Sequence, residues 1–336
     1  MIPFKLTIIM SNYNQARYLD RAIGSVLAQK TNFPWQLIIS DDHSTQDDSV
    51  DIIKKYAAQY PDKIVALLNT ENGRYLKNVL RAKEQTKTPY FTLLDADDYW
   101  TDENYLQDAV DYLDAHPDHV IYGRNVLCVK EDGTSYPFIS LKTPEKDYDL
   151  NDYLAGDIAI TQTTGSFFRN VIFSQGIPHI ITQAIGTFSE RSFEGDADRF
   201  IMHLKYGKAH YVNKFSGVYT ILSGGIWSRM SDMEKHFVQA QCFIDYDRYF
   251  EHQYTPFFAT RAYRELCKGL RNIRNPQEKW SLSEQAAVLL PQLLTYCELN
   301  KKQISAPACK KLKYKWMLAV YRYLYKKLSK KGCLDD

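Results

Sequence analysis

The feature that most constrains this chain is a strict alternation. Short apolar runs, "KLTIIM", "WQLIIS", "KIVALLN", "YFTLLD" and "HVIYG", take turns with segments of helical period, "RYLDRAIGSVLAQ", "SVDIIKKYAAQY", "YLKNVLRAKEQT" and "YLQDAVDYLDAH". Strand and helix in turn require crossover connections, which are right-handed and lay the strands side by side in parallel. The expected fold is therefore α/β, a doubly wound, mostly parallel and Rossmann-like sheet with helices on both faces. In such sheets ligands bind beyond the carboxyl ends of the strands. Three of these strands end in polar clusters: "MSNYN", "SDDHS" and "DADDY".

Beyond Asp149 the pattern loosens. "DLNDYLAG" reads as a helix, "TTGSFFR" as a strand, "GDADRFIMHLKYG" as a helix beginning after Gly195, and "KAHYVNKFSGVYT" as a pair of strands. From Ser231 onward helices are expected over 231–252, 257–272, 281–299 and 306–330. This divides the chain into a ligand-binding domain, 1–229, and a helical region, 230–336. At 336 residues and 45% hydrophobic, it has enough apolar side chains for a sizeable core. No apolar run approaches the roughly 18 residues of a membrane span, and "MIPFKLTIIMSNYNQ" reads as a strand entering a turn, unlike a secretion signal. The expected location is cytoplasmic. Cys128, Cys242, Cys267, Cys297, Cys309 and Cys333 show no metal-binding spacing and read as reduced thiols.

The net charge of +2 hides an asymmetry. From Cys309 onward nine Lys or Arg against Asp335 and Asp336 give +7, which leaves the rest at −5. A basic tail on an acidic body argues for a localised electrostatic contact and against a nucleic-acid binder.

The stretch "LLDADDYW", Leu93 to Trp100, sets three carboxylates in four positions after an apolar run. Capping a helix needs one acidic residue, so three together point to a ligand crevice. For "SDDHS" capping and function stand level. There is no G-x-G-x-x-G after the first strand and no G-x-x-x-x-G-K-[ST], which removes the main support for dinucleotide or P-loop binding. Asp95 and Asp97 offer hard oxygen ligands suited to Mg²⁺ or Mn²⁺, and such an ion is shared with substrate phosphates. A nucleoside diphosphate ligand follows.

The order "IIMSNYN … LIISDDHS … NG … LLDADDYW … GD", over about residues 4 to 229, resembles glycosyltransferase family 2, inverting enzymes of the A-type fold that use nucleotide-diphosphate sugars. The resemblance implies that Ser11 and Tyr13 flank the base, with Tyr13 stacking on it, and that Asp41 and Asp42 hydrogen-bond base and ribose. It sets Asp95 near the ribose and makes Asp97, with Asp95 beside it, the ligand of a divalent cation, Mn²⁺ or Mg²⁺. Lys77 and Asn78 would touch the donor, or else form solvated helix surface. Asp196 matches the catalytic aspartate, the base that deprotonates the acceptor hydroxyl. Gly195 stands where Glu is common, and Asp198 and Glu194 are secondary candidates. Without the family frame, Asp196 would read as an acidic first turn. "VYTILSGGIWS" resembles the closing segment through Gly224, Gly225, Trp227 and Ser228. It departs at Thr220, where Arg is common, and at Leu222, where His is common; Arg229 is a candidate substitute. "TQTTGSFFR" falls where relatives shape the acceptor side, though its residues also suit an edge strand.

In the tail Leu312, Trp316, Val320, Leu324 and Leu328 make an apolar stripe among lysines. A basic amphipathic helix of this kind suits an anionic membrane face, here through 310–331, though docking on the domain would equally use the stripe. The expected partners are a nucleotide-sugar donor, UDP favoured, and a glycan or lipid-linked glycan acceptor in surface polysaccharide synthesis, with the C-terminal helices as a homodimer surface. Two rival readings are a non-catalytic nucleotide-sugar-binding protein and a haloacid-dehalogenase-type phosphatase. The phosphatase motif belongs on a first strand, and Tyr99 stands where it has Thr or Val.

Overall fold

The computed structural model describes residues 3–224, 230–272 and 284–305. Gly225, Trp227, Ser228, Arg229 and the basic tail lie outside the described residues. The elements run β1 (Leu6–Asn12), α1 (Ala16–Leu27), β2 (Trp35–Asp41), α2 (Ser49–Gln59), β3 (Ile64–Leu68), α3 (Arg74–Glu84), β4 (Tyr90–Leu93), β5 (Tyr99–Trp100), α4 (Tyr105–Ala115) and β6 (His119–Lys130). They continue with β7 (Ser135–Pro137), β8 (Lys146–Tyr148), α5 (Leu150–Ala155), β9 (Ser166–Arg169), α6 (His179–Ala184), α7 (Asp196–His203), β10 (Lys208–Ile221), α8 (Asp232–Tyr249), α9 (Thr255–Asn272) and α10 (Glu284–Leu299).

The strands form one sheet of order β3-β2-β1-β4-β9-β6-β10-β5, with β7 on β6 and β8 on β10. β1 to β4 pair in parallel, as the alternation requires. β9 inserts antiparallel between β4 and β6, so β6 and its parallel partner β10 keep the direction of β1. The α/β fold class expected from the sequence is present, with antiparallel strands added toward one edge.

Side chains alternate across a strand. Leu6, Ile8 and Met10 of β1 enter a core shared with Leu19, Ile23 and Val26 of α1, Ile53 of α2 and Leu106, Val110 and Leu113 of α4. Each such side chain contributes about 1.5–3 kcal/mol when fully buried. The opposite face of β1 and β2 is covered by α3.

The expected strand pair over 208–220 is a single 14-residue strand, β10. Asn213, Lys214, Ser216 and Gly217 suggest a turn, but the chain absorbs them as irregular register against β6 between Val212 and Gly217. Gly217 is required there, because a Cβ would lie 2.3 Å from the Tyr99 carbonyl oxygen. That close approach seats β5 beside β10 and fixes the chain directly after Asp98.

Two compact units result: Met1–Ile185 with Glu194–Ser223, and Gly186–Phe193 with the chain from Gly224. In the second unit Phe237, Ala240, Ile244, Ala259, Tyr263, Leu266, Leu290 and Leu293 form the core among α8, α9 and α10. Cys128, Cys242, Cys267 and Cys297 are free thiols. Among the described residues no helix is long and apolar enough to cross a membrane.

Candidate active site

The carboxyl ends of β1, β2 and β4 meet at one edge. Past β4 the chain keeps company with β1: the Leu94 N–H donates to the Ile9 carbonyl at 2.9 Å and the Ala96 N–H to that of Ser11 at 3.1 Å. This register brings Ser11 beside Asp95, and its hydroxyl donates to Asp95 Oδ1. The loops here carry local strain. Asn14 and His43 have φ of 51° and 64° in the loops after β1 and β2, and Arg74, the first residue of α3, has 64°, a region costly for residues other than glycine and typical of functional loops.

Asp41 and Asp42 are adjacent but differ in role. Asp41 is 1% exposed and accepts from Asn12 Nδ2 at 2.7 Å, the Ser44 N–H at 2.8 Å and the Ser44 hydroxyl at 2.6 Å. Both its oxygens are committed to joining the β1 and β2 loops. Asp42 Oδ1 accepts from the Gly73 N–H at 2.7 Å, with Arg81 at 3.7 Å, and burial raises its pKa. Tyr13 lies on the loop after β1 with its side chain 45% exposed.

The three carboxylates after β4 divide likewise. Asp95 is partly buried; burial raises its pKa, against the Ser11 bond and the nearby Arg199. Asp97 is pushed up to about 7, first by burial and then by the charge of Asp95, while Arg21 and Arg17 pull the other way. Asp98 is 1% exposed and held: its Oδ1 accepts from the Thr220 N–H at 2.8 Å and its Oδ2 from the Thr164 hydroxyl at 2.6 Å. Asp98 thus fastens β10 and the turn before β9, whereas Asp95 and Asp97 remain partly exposed.

Asp196 is the first residue of α7. Its Oδ1 accepts from the Thr163 N–H at 2.9 Å, from the Thr163 hydroxyl, and from Arg199 Nη2 at 3.3 Å. Behind it Asp198, Arg199 and Lys83 are each 3% exposed. Burial pushes Asp198 up to about 7 and Lys83 down to about 7. Burial also pushes His203 down to about 3, and its Nδ1 meets the Arg199 carbonyl at 2.6 Å. Asp198 is sealed from solvent and is therefore a poor candidate for meeting an acceptor.

One phenol relates the two halves. The pKa of Tyr219 on β10 is raised first by burial and then by the charges of Asp196, Asp98, Asp95 and Asp97. The carboxylates after β4 and at the start of α7 therefore share one electrostatic environment, a typical property of an active site.

Asn78 differs from both of its sequence expectations, whereas Lys77 lies on helix surface. Asn78 is 2% exposed; its Nδ2 donates to the Ser40 carbonyl at 2.9 Å, and its Oδ1 accepts from the Ser40 hydroxyl at 2.6 Å and from Asn69 at 2.9 Å. It joins α3 to β2 and is neither solvated surface nor open to a ligand. Lys77 is exposed and pairs with Glu71 at 2.6 Å. Residues that sequence reasoning passed over include Arg21, which donates to the Asp97 carbonyl at 3.1 Å, and Tyr75, whose hydroxyl lies 3.4 Å from Asp95 Oδ1. Thr220 donates its hydroxyl to the Asp97 carbonyl at 2.7 Å. Arginines on α1 at i, i+4 and the aromatic at 75 were visible signals, but neither sits in a strand-end cluster.

Among the described residues no group of three or more His, Cys, Asp or Glu is arranged to hold a metal ion. The chemistry that is present, two crowded carboxylates with Asp97 raised, fits a cation shared with a phosphate ligand and not an all-protein cage.

The profile of Glycosyl transferase family 2 matches residues 7–176. An uncharacterized protein of Mycobacterium tuberculosis is 37% identical over 176 residues, 52% of this chain and 49% of that one. The poly(ribitol-phosphate) beta-N-acetylglucosaminyltransferase TarS of Staphylococcus aureus is 31% identical over 120 residues, 35% of this chain and 20% of TarS. The chain matches about half the length, or less, of these curated relatives. Among solved structures, TarS 1–349 in complex with UDP superposes with a TM-score of 0.65 at 17% identity, covering 98% of this chain and 92% of that one. The same protein with UDP-GlcNAc gives 0.63 at 17% identity, covering 90% and 84%. The mannosyltransferase PcManGT of Pyrobaculum calidifontis, with GDP-Man and Mn²⁺, gives 0.50 at 15% identity, covering 98% and 84%. At these identities the structural likeness is one of fold.

Proposed function

Because this chain belongs to glycosyltransferase family 2, we propose that it transfers a sugar from a UDP-sugar to an acceptor hydroxyl with inversion at the anomeric carbon. The observation that carries the reading is that Asp196, held by Thr163, is joined through the neighbouring Thr164 to Asp98 of the carboxylate cluster that also holds Asp95 and Asp97, and that all four charges act on the Tyr219 phenol. The UDP and UDP-GlcNAc in the TarS structures support the choice of nucleotide.

In this reading the Tyr13 ring stacks on the base and Asp42 bonds the ribose, while Asp41, saturated by Asn12 and Ser44, shapes the floor of the site. Asp97, with Asp95, would hold a divalent cation, as the Mn²⁺ in the PcManGT complex suggests. Such an ion neutralises charge on the leaving diphosphate. Arg21 and Arg17 add positive charge beside Asp97, in keeping with their pull on its pKa. They offset the loss of Arg and His at Thr220 and Leu222. Asp196 takes the acceptor proton as the acceptor oxygen bonds the anomeric carbon; the bond from that carbon to the diphosphate oxygen breaks, and its electron pair leaves with UDP. Positioning and charge neutralisation supply most of the acceleration. We assign the acceptor to the glycan class, with a surface-polysaccharide setting, a membrane-facing tail and a homodimer as parts of the same proposal.

The test is a thermal-shift series with UDP, GDP and dTDP, each with and without Mn²⁺, on the wild type and Asp97→Ala. A ligand that binds the native state raises its apparent stability. The reading expects UDP to stabilise the wild type with Mn²⁺ and to do so much less in Asp97→Ala. No shift with any nucleotide would remove the support for a nucleotide-sugar site and return the phosphatase reading to contention.

A further inference from the structure

We propose that Thr163 and Arg199 are positioning residues that clamp one oxygen of Asp196, so that the other oxygen, Oδ2, takes the acceptor proton. The inference rests on the assignment of Asp196 as the base. Among the described residues the bonds to its carboxylate fall on Oδ1: the N–H and hydroxyl of Thr163 and Nη2 of Arg199. A carboxylate gripped through a single oxygen by three donors from two directions loses its freedom to rotate, and Oδ2 is left for the substrate.

The clamp is itself anchored. Thr163 begins a tight turn, Thr163–Gly165, inside the "TQTTGSFFR" segment. A Cβ at Gly165 would lie 2.3 Å from the Arg124 carbonyl oxygen, so the turn is pressed against β6. The Thr164 carbonyl accepts from Trp100 Nε1 at 2.9 Å and from the Ser216 hydroxyl at 3.2 Å, and the Thr164 hydroxyl donates to Asp98. Asp98 and Trp100 thus hold this turn, and through it the Thr163 donors to Asp196, while Asp97, the residue before Asp98, is left to serve the donor in this reading. On the other side Arg199 donates to the Thr163 hydroxyl, and the charges of Asp198, Asp196 and Asp95 surround it. "DADDYW" therefore has two functions: its partly exposed carboxylates serve the donor and its buried members set the geometry of the base.

The experiment compares Thr163→Val, which removes only the hydroxyl, with Thr163→Ser, which keeps it, and with Asp196→Asn. The readout is UDP released from UDP-N-acetylglucosamine in the presence of Mn²⁺, with water in place of the acceptor, alongside the thermal shift given by UDP. Thr163→Val is expected to lower kcat roughly 10- to 100-fold, the scale of a misplaced catalytic group, with KM and the UDP shift nearly unchanged. Thr163→Ser should restore kcat to within about three-fold, because the clamping hydroxyl is retained. Asp196→Asn should be the least active. A wild-type kcat in Thr163→Val, with Asp196→Asn inactive, overturns the clamp alone. Parallel loss of kcat and of the UDP shift in Thr163→Val overturns positioning in favour of a fold-wide role. An active Asp196→Asn overturns both the clamp and the base assignment.

Discussion

Replacing Asp97 by Asn should make the ligand-free protein more stable at neutral pH and less responsive to metal and nucleotide. The cause is the raised pKa of Asp97, about 7 against an ordinary 3.8, produced by burial and then by Asp95. Three units correspond to about 4 kcal/mol at about 1.4 kcal/mol each. Because Asp97 is only partly buried, solvent screening reduces this to about 1–2 kcal/mol. The sign follows from proton counting. Between pH 3.8 and about 7 the native state holds a proton on Asp97 that the unfolded state has lost, so this residue makes stability fall as pH rises through the window. Asn abolishes that component. At pH 8 the variant should unfold roughly 2–6 °C above the wild type without metal, and the difference should vanish near pH 4. Melting curves from pH 4 to 8, with and without Mn²⁺ and UDP, provide the assay. A variant that melts below the wild type at pH 8, or with a margin independent of pH, refutes the reasoning.

Further substitutions separate ligand contacts from framework. Tyr13→Ala should weaken UDP binding by about 1–3 kcal/mol, the scale of base stacking, with little change in melting temperature because the ring is 45% exposed; calorimetric titration measures it. Asn78→Ala should do the reverse, costing about 1–3 kcal/mol of stability by orphaning groups at Ser40 and Asn69. Denaturant melts would register this, with UDP affinity per folded molecule held within about two-fold.

Much of the fold was legible because period and composition agree over the first four strands, where β1, β2, β3 and β4 alternate with helices. Legibility fell where tertiary contacts overrule local signals. The polar and glycine residues between Asn213 and Gly217 advertise a turn, yet Asn213 bonds the Ser140 and Thr143 carbonyls and Asn125 across the sheet, which keeps the chain extended. The candidate site was readable as a set of carboxylates, but not how each one is used. Asp97 and Asp98 are neighbours of the same type; only the approach of Thr164 and the Thr220 N–H to Asp98 separates an inward pin from a partly exposed group. Asp198 was legible only as a second acidic candidate beside Asp196; its burial with Arg199 and Lys83 as a mutually compensating set depends on α3 and α7.

The central claim is that Asp196 drives sugar transfer from a bound UDP-sugar. Its most direct measurement is the steady-state rate of UDP release from UDP-N-acetylglucosamine with Mn²⁺, wild type against Asp196→Asn, with UDP affinity determined for both. The account predicts a loss of about 10²–10⁴-fold in kcat, the contribution of a general base, at unchanged UDP affinity. Equal rates in the two proteins would contradict it.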